Sequence, residues 1–157
     1  MKRVIIAAMS KGSVIGSGNG MPWHVPAEYQ HFLDSVRGHT MIMGRKSWEI
    51  FGGDVATAHN IVVSGSSEVC GAEVANSLFA AIALAESYGK TIFIAGGASI
   101  YQQSLDSGFV DEMHLSTIHG EFTGDTYFPA FDKSDWQIVE NRVENVYDFA
   151  RNVRRKW

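Results

Sequence analysis

Glu28 is the side chain best placed for acid–base chemistry, because of the residues on either side of it. It closes the run GSVIGSGNGMPWHVPAE from Gly12 to Glu28, where a glycine-rich segment meets the start of a helix. The glycines of this run permit turns with φ > 0, whereas Pro22 and Pro26 fix φ and interrupt strand pairing, so the run reads as a shaped loop. Met21 and Trp23 make that loop an apolar lid. Pro26 suits a first helical turn, and Tyr29, Phe32, Leu33 and Val36 then recur at helical spacing, placing Glu28 and Phe32 on one face. A carboxylate beside an apolar stripe and under a lid is short of water, which raises its affinity for protons and keeps it useful near neutral pH. A solvated acid attracted to the positive end of the helix dipole fits the same residues. On this stretch alone the solvated reading is favoured.

Two further segments could hold anions. MIMGRKSWEIF at Met41–Phe51 and IFIAGGASIY at Ile92–Tyr101 each read as a buried strand turning into a helix, which presents a helix amino end at a strand's carboxyl end. Arg45 and Ser47 add to the first, and a third strand ends in the polar run Ser64, Gly65, Ser66 and Ser67, so a phosphate-rich ligand could lie across this edge. Neither turn is a GxGxxG or Walker loop, and each taken alone is an ordinary β-to-α connection. The adjacent Gly96 and Gly97 suggest close ligand approach or an unusual peptide geometry. No metal site is expected, since the six histidines show no ligand spacing and Cys70 is the single cysteine. There is no GxSxG elbow, and Cys70 has no evident base beside it. One buried acid, an apolar lid and phosphate-suited helix ends point to protonation coupled to transfer from a nucleotide cofactor.

The elements that must position these groups alternate between short β-rich runs and helical patterns, the signature of an α/β sheet. Strands are expected at Val4–Met9, Thr40–Met43, Asn60–Ser64, weakly at Cys70–Ala75, and at Thr91–Ala95. Helices are expected at Pro26–Arg37, Arg45–Phe51, the segment after a Ser77 cap, and Ser99–Leu105. In the third helix Leu78, Phe79, Ile82, Leu84 and Ala85 are read as one covered face. Glu112–Ile118, Trp136–Val143 and Val146–Arg155 then follow as strands, the last two a hairpin around Glu144 and Asn145. A parallel sheet with an antiparallel edge results, in one domain spanning 1–157. The formal net charge of −4 argues against a polyanion-binding surface, and the basic tail Arg151, Arg154, Arg155 and Lys156 reads as a strand's polar face. The apolar run of MKRVIIAAMS is too short for a signal peptide, and no run reaches membrane-spanning length. A lone cysteine fits a reducing cytoplasm.

Four motifs, VIGSGNGMPWHVPAE at Val14–Glu28, MIMGRKSWE at Met41–Glu49, IFIAGGASIY at Ile92–Tyr101 and GDTYFP at Gly124–Pro129, together closely resemble bacterial dihydrofolate reductase. They run in order along nearly the whole chain. The resemblance implies a three-layer α/β fold: an eight-stranded, mostly parallel sheet with an antiparallel C-terminal edge and helices on both faces. It implies NADPH-dependent reduction of 7,8-dihydrofolate to 5,6,7,8-tetrahydrofolate, with hydride transfer to C6 and protonation of N5 promoted by Glu28. Trp23 would help hold a water, and Ser116 would hydrogen-bond the carboxylate or the pterin. Ile6, Ala7, Ala8, Tyr29, Phe32, Phe51 and Val55 would line the substrate pocket. Ala8, Ile15, Met21, Ser47, Ala95, Gly96, Gly97 and Tyr101 would meet the nicotinamide and pyrophosphate. Gly44, Arg45, Lys46, Ser64, Gly65, Ala98, Ser99, Ile100 and Thr126 would complete the cofactor site, with Arg45 favouring the 2′-phosphate. Asp125 would lie in the loop that closes the lid by hydrogen bonding. A cytoplasmic monomer with a small-molecule substrate, and neither nucleic acid nor membrane as partner, is the accompanying expectation.

Two departures from the family pattern stand out. In DVATAHN, Ala58 occupies the place of an arginine that pairs with the glutamate tail of folate, and the hairpin between Trp136 and Tyr147 is short. Loss of such a charged pair costs roughly 1.5 to 3 kcal/mol of binding. Tyr29, Phe51 and Ala58 also change the pocket wall, so altered sensitivity to antifolates such as trimethoprim is expected. Two other functions fit the same residues: a same-fold NADPH reductase for a pterin or heterocycle without a glutamate tail, and a non-catalytic nucleotide or folate binding module.

Overall fold

The structure is a computed structural model that describes every residue except Asn19, Ser67 and Trp157, so the last serine of the polar run after Ser64 lies outside the described residues. Its main sheet has eight strands. In chain order, with the intervening helices, the elements are β1 (Arg3–Ser10), β2 (Val14–Gly16), α1 (Pro26–Val36), β3 (Thr40–Gly44), α2 (Arg45–Phe51), β4 (His59–Val63), β5 (Glu73–Ala75), α3 (Leu78–Glu86), β6 (Ile92–Ile94), α4 (Ala98–Ser107), β7 (Glu112–Ile118), β8 (Thr126–Tyr127), β9 (Trp136–Val143) and β10 (Tyr147–Arg154). The sheet order is β5-β4-β3-β6-β1-β7-β10-β9. The first six run parallel, and β10 is antiparallel to both β7 and β9.

Strand β1 is apolar from Val4 to Met9 because both of its faces are covered. Ile5, Ala7 and Met9 pack with Ile42, Ile61, Ile92 and Ile94 under α3 and α4. Val4 and Ile6 pack with Met41, Met43 and Phe93 on the other face, against Val36, Phe32, Trp48 and Phe51 of α1 and α2. Ile5, Ile42, Ile92 and Ile94 are fully buried, and each such side chain contributes roughly 1.5–3 kcal/mol. Pro26 begins α1, where its missing N–H costs nothing, and the Ser77 hydroxyl caps α3 by accepting from the Ala80 N–H. Gly108 ends α4 with φ at 76°, a conformation glycine adopts freely.

Three expectations need correction. The lid run is not loop throughout, because Val14–Gly16 pairs antiparallel with Thr126–Tyr127 in a two-stranded ribbon. That pairing depends on a partner far along the chain and left no local periodicity. The strand after Cys70 is shorter than read, since Gly71 turns at φ 80° and only Glu73–Ala75 pairs with β4. Phe79 is not on the covered face of α3: it is 76% exposed, while Leu78, Ala81, Ile82 and Ala85 face the sheet. A step of one residue turns a side chain about 100° around a helix, which separates Phe79 from Leu78.

The ribbon holds the lid close to the sheet. Asp125 N–H donates to the Gly16 carbonyl, and the Asp125 carboxylate accepts from the Gly18 N–H at 3.1 Å. Gly124 lies so near that a Cβ there would stand 2.3 Å from the Gly16 carbonyl oxygen. Gly124→Ala must push the two strands apart, and a melting curve should show a loss of about 1–3 kcal/mol, the cost of overpacking. An unchanged melting temperature would mean that the ribbon yields freely.

Candidate active site

The parallel strands end at two confluent cavities. Ile6, Ala7 and Ala8 of β1 form the floor of the first, and the small side chains of the two alanines leave room above the strand. Glu28, Tyr29 and Phe32 of α1, with Phe51 at the end of α2, form one wall. Ile15 and Met21 of the lid, Ala95, Gly96 and Gly97 after β6, and Ser47 form the other. Tyr101 closes the base, donating its hydroxyl to the Ile6 carbonyl at 2.8 Å.

Glu28 is 5% exposed in this apolar surround. Among the described residues no side chain hydrogen-bonds its carboxylate, and no cation stands against it. Burial alone therefore acts on it and pushes its pKa from the ordinary 4.5 up to about 7. The solvated reading of this acid does not hold. Trp23 is buried beside it, packed edge-on to Phe122 at 5.5 Å, and lines an adjoining cleft together with Glu28 and Tyr29. Ser116 is buried in β7 opposite Ala8, on the sheet face that carries α1. The expected bond between Ser116 and the Glu28 carboxylate is not formed among the described residues. Val55 lies off the cavity lining, packed with Phe32 and Phe51 against the core.

The second cavity shares Ile15, Met21, Ser47, Phe51 and Gly97 with the first. The amino ends of α2 and α4 both face it, and neither Gly44 nor Gly97 offers a side-chain cap, so backbone N–H donors there remain available. Arg45 and Lys46 stand on one side, Ser64 and Gly65 at the end of β4, Ala98, Ser99 and Ile100 on α4, and Thr126 on β8. Arg45 is held outward by Glu49 at 2.9 Å and by Ser66. Gly96 has φ 126°, the Gly96–Gly97 peptide is cis, and a Cβ on Gly96 would lie 3.2 Å from Ser47 Oγ. This set of cations, hydroxyls and free amides fits a phosphorylated dinucleotide. Met43, Ile50, Val63, Asn76 and Gln103 also line the cavities and were not foreseen. Gln103 sits one turn beyond Ser99 and bonds it at 2.9 Å, a helical spacing that the sequence did contain.

Comparison with known proteins decides the family. The sequence model described as Dihydrofolate reductase matches residues 3–153. The chain belongs to the dihydrofolate reductase family. It is 35% identical to the Bacillus subtilis dihydrofolate reductase, covering 92% of this chain and 88% of that one. It is 36% identical to a Neisseria meningitidis dihydrofolate reductase, covering 93% and 90%. A solved dihydrofolate reductase from Enterococcus faecalis, complexed with NADP(H), superposes with a TM-score of 0.87 at 25% identity, over 99% of this chain and 97% of that one.

Ala58 is exposed and carries no charge to the site. His59 cannot stand in for a cation there, because it lies on the sheet face of α3 and its ring stacks on Tyr88 at 3.7 Å. Asp54 accepts a hydrogen bond from the Tyr29 hydroxyl at 2.5 Å.

The raised pKa of Glu28 has a consequence for stability. The folded value lies above the unfolded one, so the folded protein holds an extra proton between pH 4.5 and about 7. Stability contributed by this group is complete below that window, falls as pH rises through it, and is level above it. The loss amounts to about 3 kcal/mol, since each unit of displacement is worth about 1.4 kcal/mol. Glu28→Gln should escape it: in urea melts at about pH 4.5 and pH 8 the variant should gain about 3 kcal/mol on the parent between the two. Parallel pH dependence in both proteins would place the carboxylate back in water.

Proposed function

We propose that this protein reduces 7,8-dihydrofolate to 5,6,7,8-tetrahydrofolate with NADPH as the reductant. The observation that carries this is one carboxylic acid, desolvated to a pKa near 7, in an apolar cavity that opens into a phosphate-suited one. When bound, NADPH supplies the hydride that C6 of the pterin receives. Arg45, Lys46, Ser64 and the amino end of α4 hold its phosphates, and Ile15, Met21 and the Ala95–Gly97 turn bracket the nicotinamide. Arg45, at the outer end, favours the 2′-phosphate.

Glu28 orients the pterin by hydrogen bonding and, being protonated over much of the neutral range, feeds a proton toward N5 through water. Trp23, lining the adjoining cleft beside Glu28, helps retain that water. Ser116 offers its hydroxyl to the pterin edge rather than to Glu28. Met21 and Ile15 cover the reacting faces and exclude bulk water, which keeps the electrostatic effect of the acid undiluted. The hydrogen bond from the Gly18 N–H to Asp125 holds the lid in that closed arrangement.

Mixing the protein with NADPH and dihydrofolate should remove absorbance at about 340 nm, with the turnover falling about tenfold per pH unit above pH 7 as the acid ionises. Glu28→Gln should lower turnover at pH 7 by about 100-fold or more, the scale of lost acid–base catalysis. Near-parent turnover in that variant would remove Glu28 from the chemistry. Arg45→Ala should raise the KM for NADPH roughly 10- to 100-fold and leave that for NADH nearly unchanged, since a charged hydrogen-bonded pair is worth about 1.5–3 kcal/mol. Equal effects on the two cofactors would contradict the 2′-phosphate assignment.

A further inference from the structure

The first cavity opens outward through the cleft between α1 and the turn that follows α2, where Tyr29, Gln30, Ile50, Phe51 and Asp54 form the rim. The segments that bound it, 26–36 and 51–58, contain no lysine or arginine; Asp54 is the acid on the rim, Glu28 lies within the cavity, and His24 lines the cleft on the side of the lid. Arg37, just beyond α1, is paired to Asp34 at 3.4 Å. Arg45 and Lys46 face the second cavity. His59 is turned to the opposite face of the sheet by its stack on Tyr88. Asp54 is fixed at the rim by the Tyr29 hydroxyl, and among the described residues its second oxygen has no partner.

An anionic group leaving the cavity therefore meets the Asp54 carboxylate and neither lysine nor arginine, whereas an amide or ammonium group meets an acceptor already in place. We infer that this pocket selects dihydropterins by the pterin head and takes them with an uncharged or cationic substituent at the rim, so that a glutamyl tail adds nothing to recognition. The inference rests on the reduction proposed above and narrows its substrate class.

Initial rates at saturating NADPH test it with three substrates: 7,8-dihydrofolate, its triglutamyl form, and the neutral amide of 7,8-dihydropteroate. The amide should match or exceed dihydrofolate in kcat/KM. The triglutamyl form should fall below dihydrofolate by roughly threefold at low ionic strength, a deficit that closes in about 0.5 M salt as the rim charges are screened. A kcat/KM for dihydrofolate about tenfold or more above that of the amide, the size of one charged hydrogen bond, would overturn the inference while leaving the reduction intact. Absence of turnover with all three would remove the reduction itself. Ala58→Arg supplies the missing cation and should raise kcat/KM about tenfold for dihydrofolate and not for the amide. An equal response of both substrates would show that charge at the rim does not discriminate between them.

Discussion

The structure turns on one unfavourable arrangement, a carboxyl group stripped of water with no counter-charge supplied. Glu28 sits in the first turn of α1, and the spacing that buries Phe32 and Val36 against β1 and β3 carries it to the cavity wall. Its neighbours from other segments, Ala8 below, Met21 above and Tyr101 at the base, are all unable to neutralise it. The low polarity that makes the ionised form costly also gives the acid a proton to donate at the pH of a cell. The fully buried isoleucines of the central strands supply the stability that offsets this cost.

The second cavity has the opposite character. It gathers Arg45, Lys46, two uncapped helix amino ends and several hydroxyls within one basin. The two environments meet at Ser47 and Gly97, where lack of side-chain bulk matters most: a Cβ on Gly97 would lie 3.4 Å from Ser47 Oγ. A dinucleotide can thus place its polar end among donors and its reactive ring against the apolar wall. The rim beyond Tyr29 is a third environment, marked by the Asp54 carboxylate that accepts from the Tyr29 hydroxyl.

Much of this was legible in the sequence, for reasons that differ by element. The unbroken apolar run of β1, the spacing in α1 and the glycine that ends α4 report local geometry directly. The β2–β8 ribbon was not legible, because Val14–Gly16 finds its partner more than a hundred residues later and carries no pattern of its own. Phe79 was misassigned because one residue of phase decides which side of a helix is covered. The state of Glu28 lay between these cases. Its spacing was visible, but desolvation is produced by Met21, Tyr101 and Ala8, which come from three separate segments. Most of the residues that line the two cavities were named through family resemblance, and their placement around them came from the fold. Met43 was missed although it lies inside the Met41–Glu49 motif, and Asn76 and Gln103 for want of any motif, although each follows from strand alternation, helix entry or helical spacing once the fold is known.

The most direct measurement is the titration of the Glu28 carboxyl itself, followed by carbon-13 NMR in protein labelled at the glutamate side chains, with Glu28→Gln identifying the signal. A midpoint near 7 is expected, well apart from the exposed glutamates. A midpoint near 4.5, among those of the solvated acids, would contradict the desolvated carboxyl on which the proposed proton delivery depends.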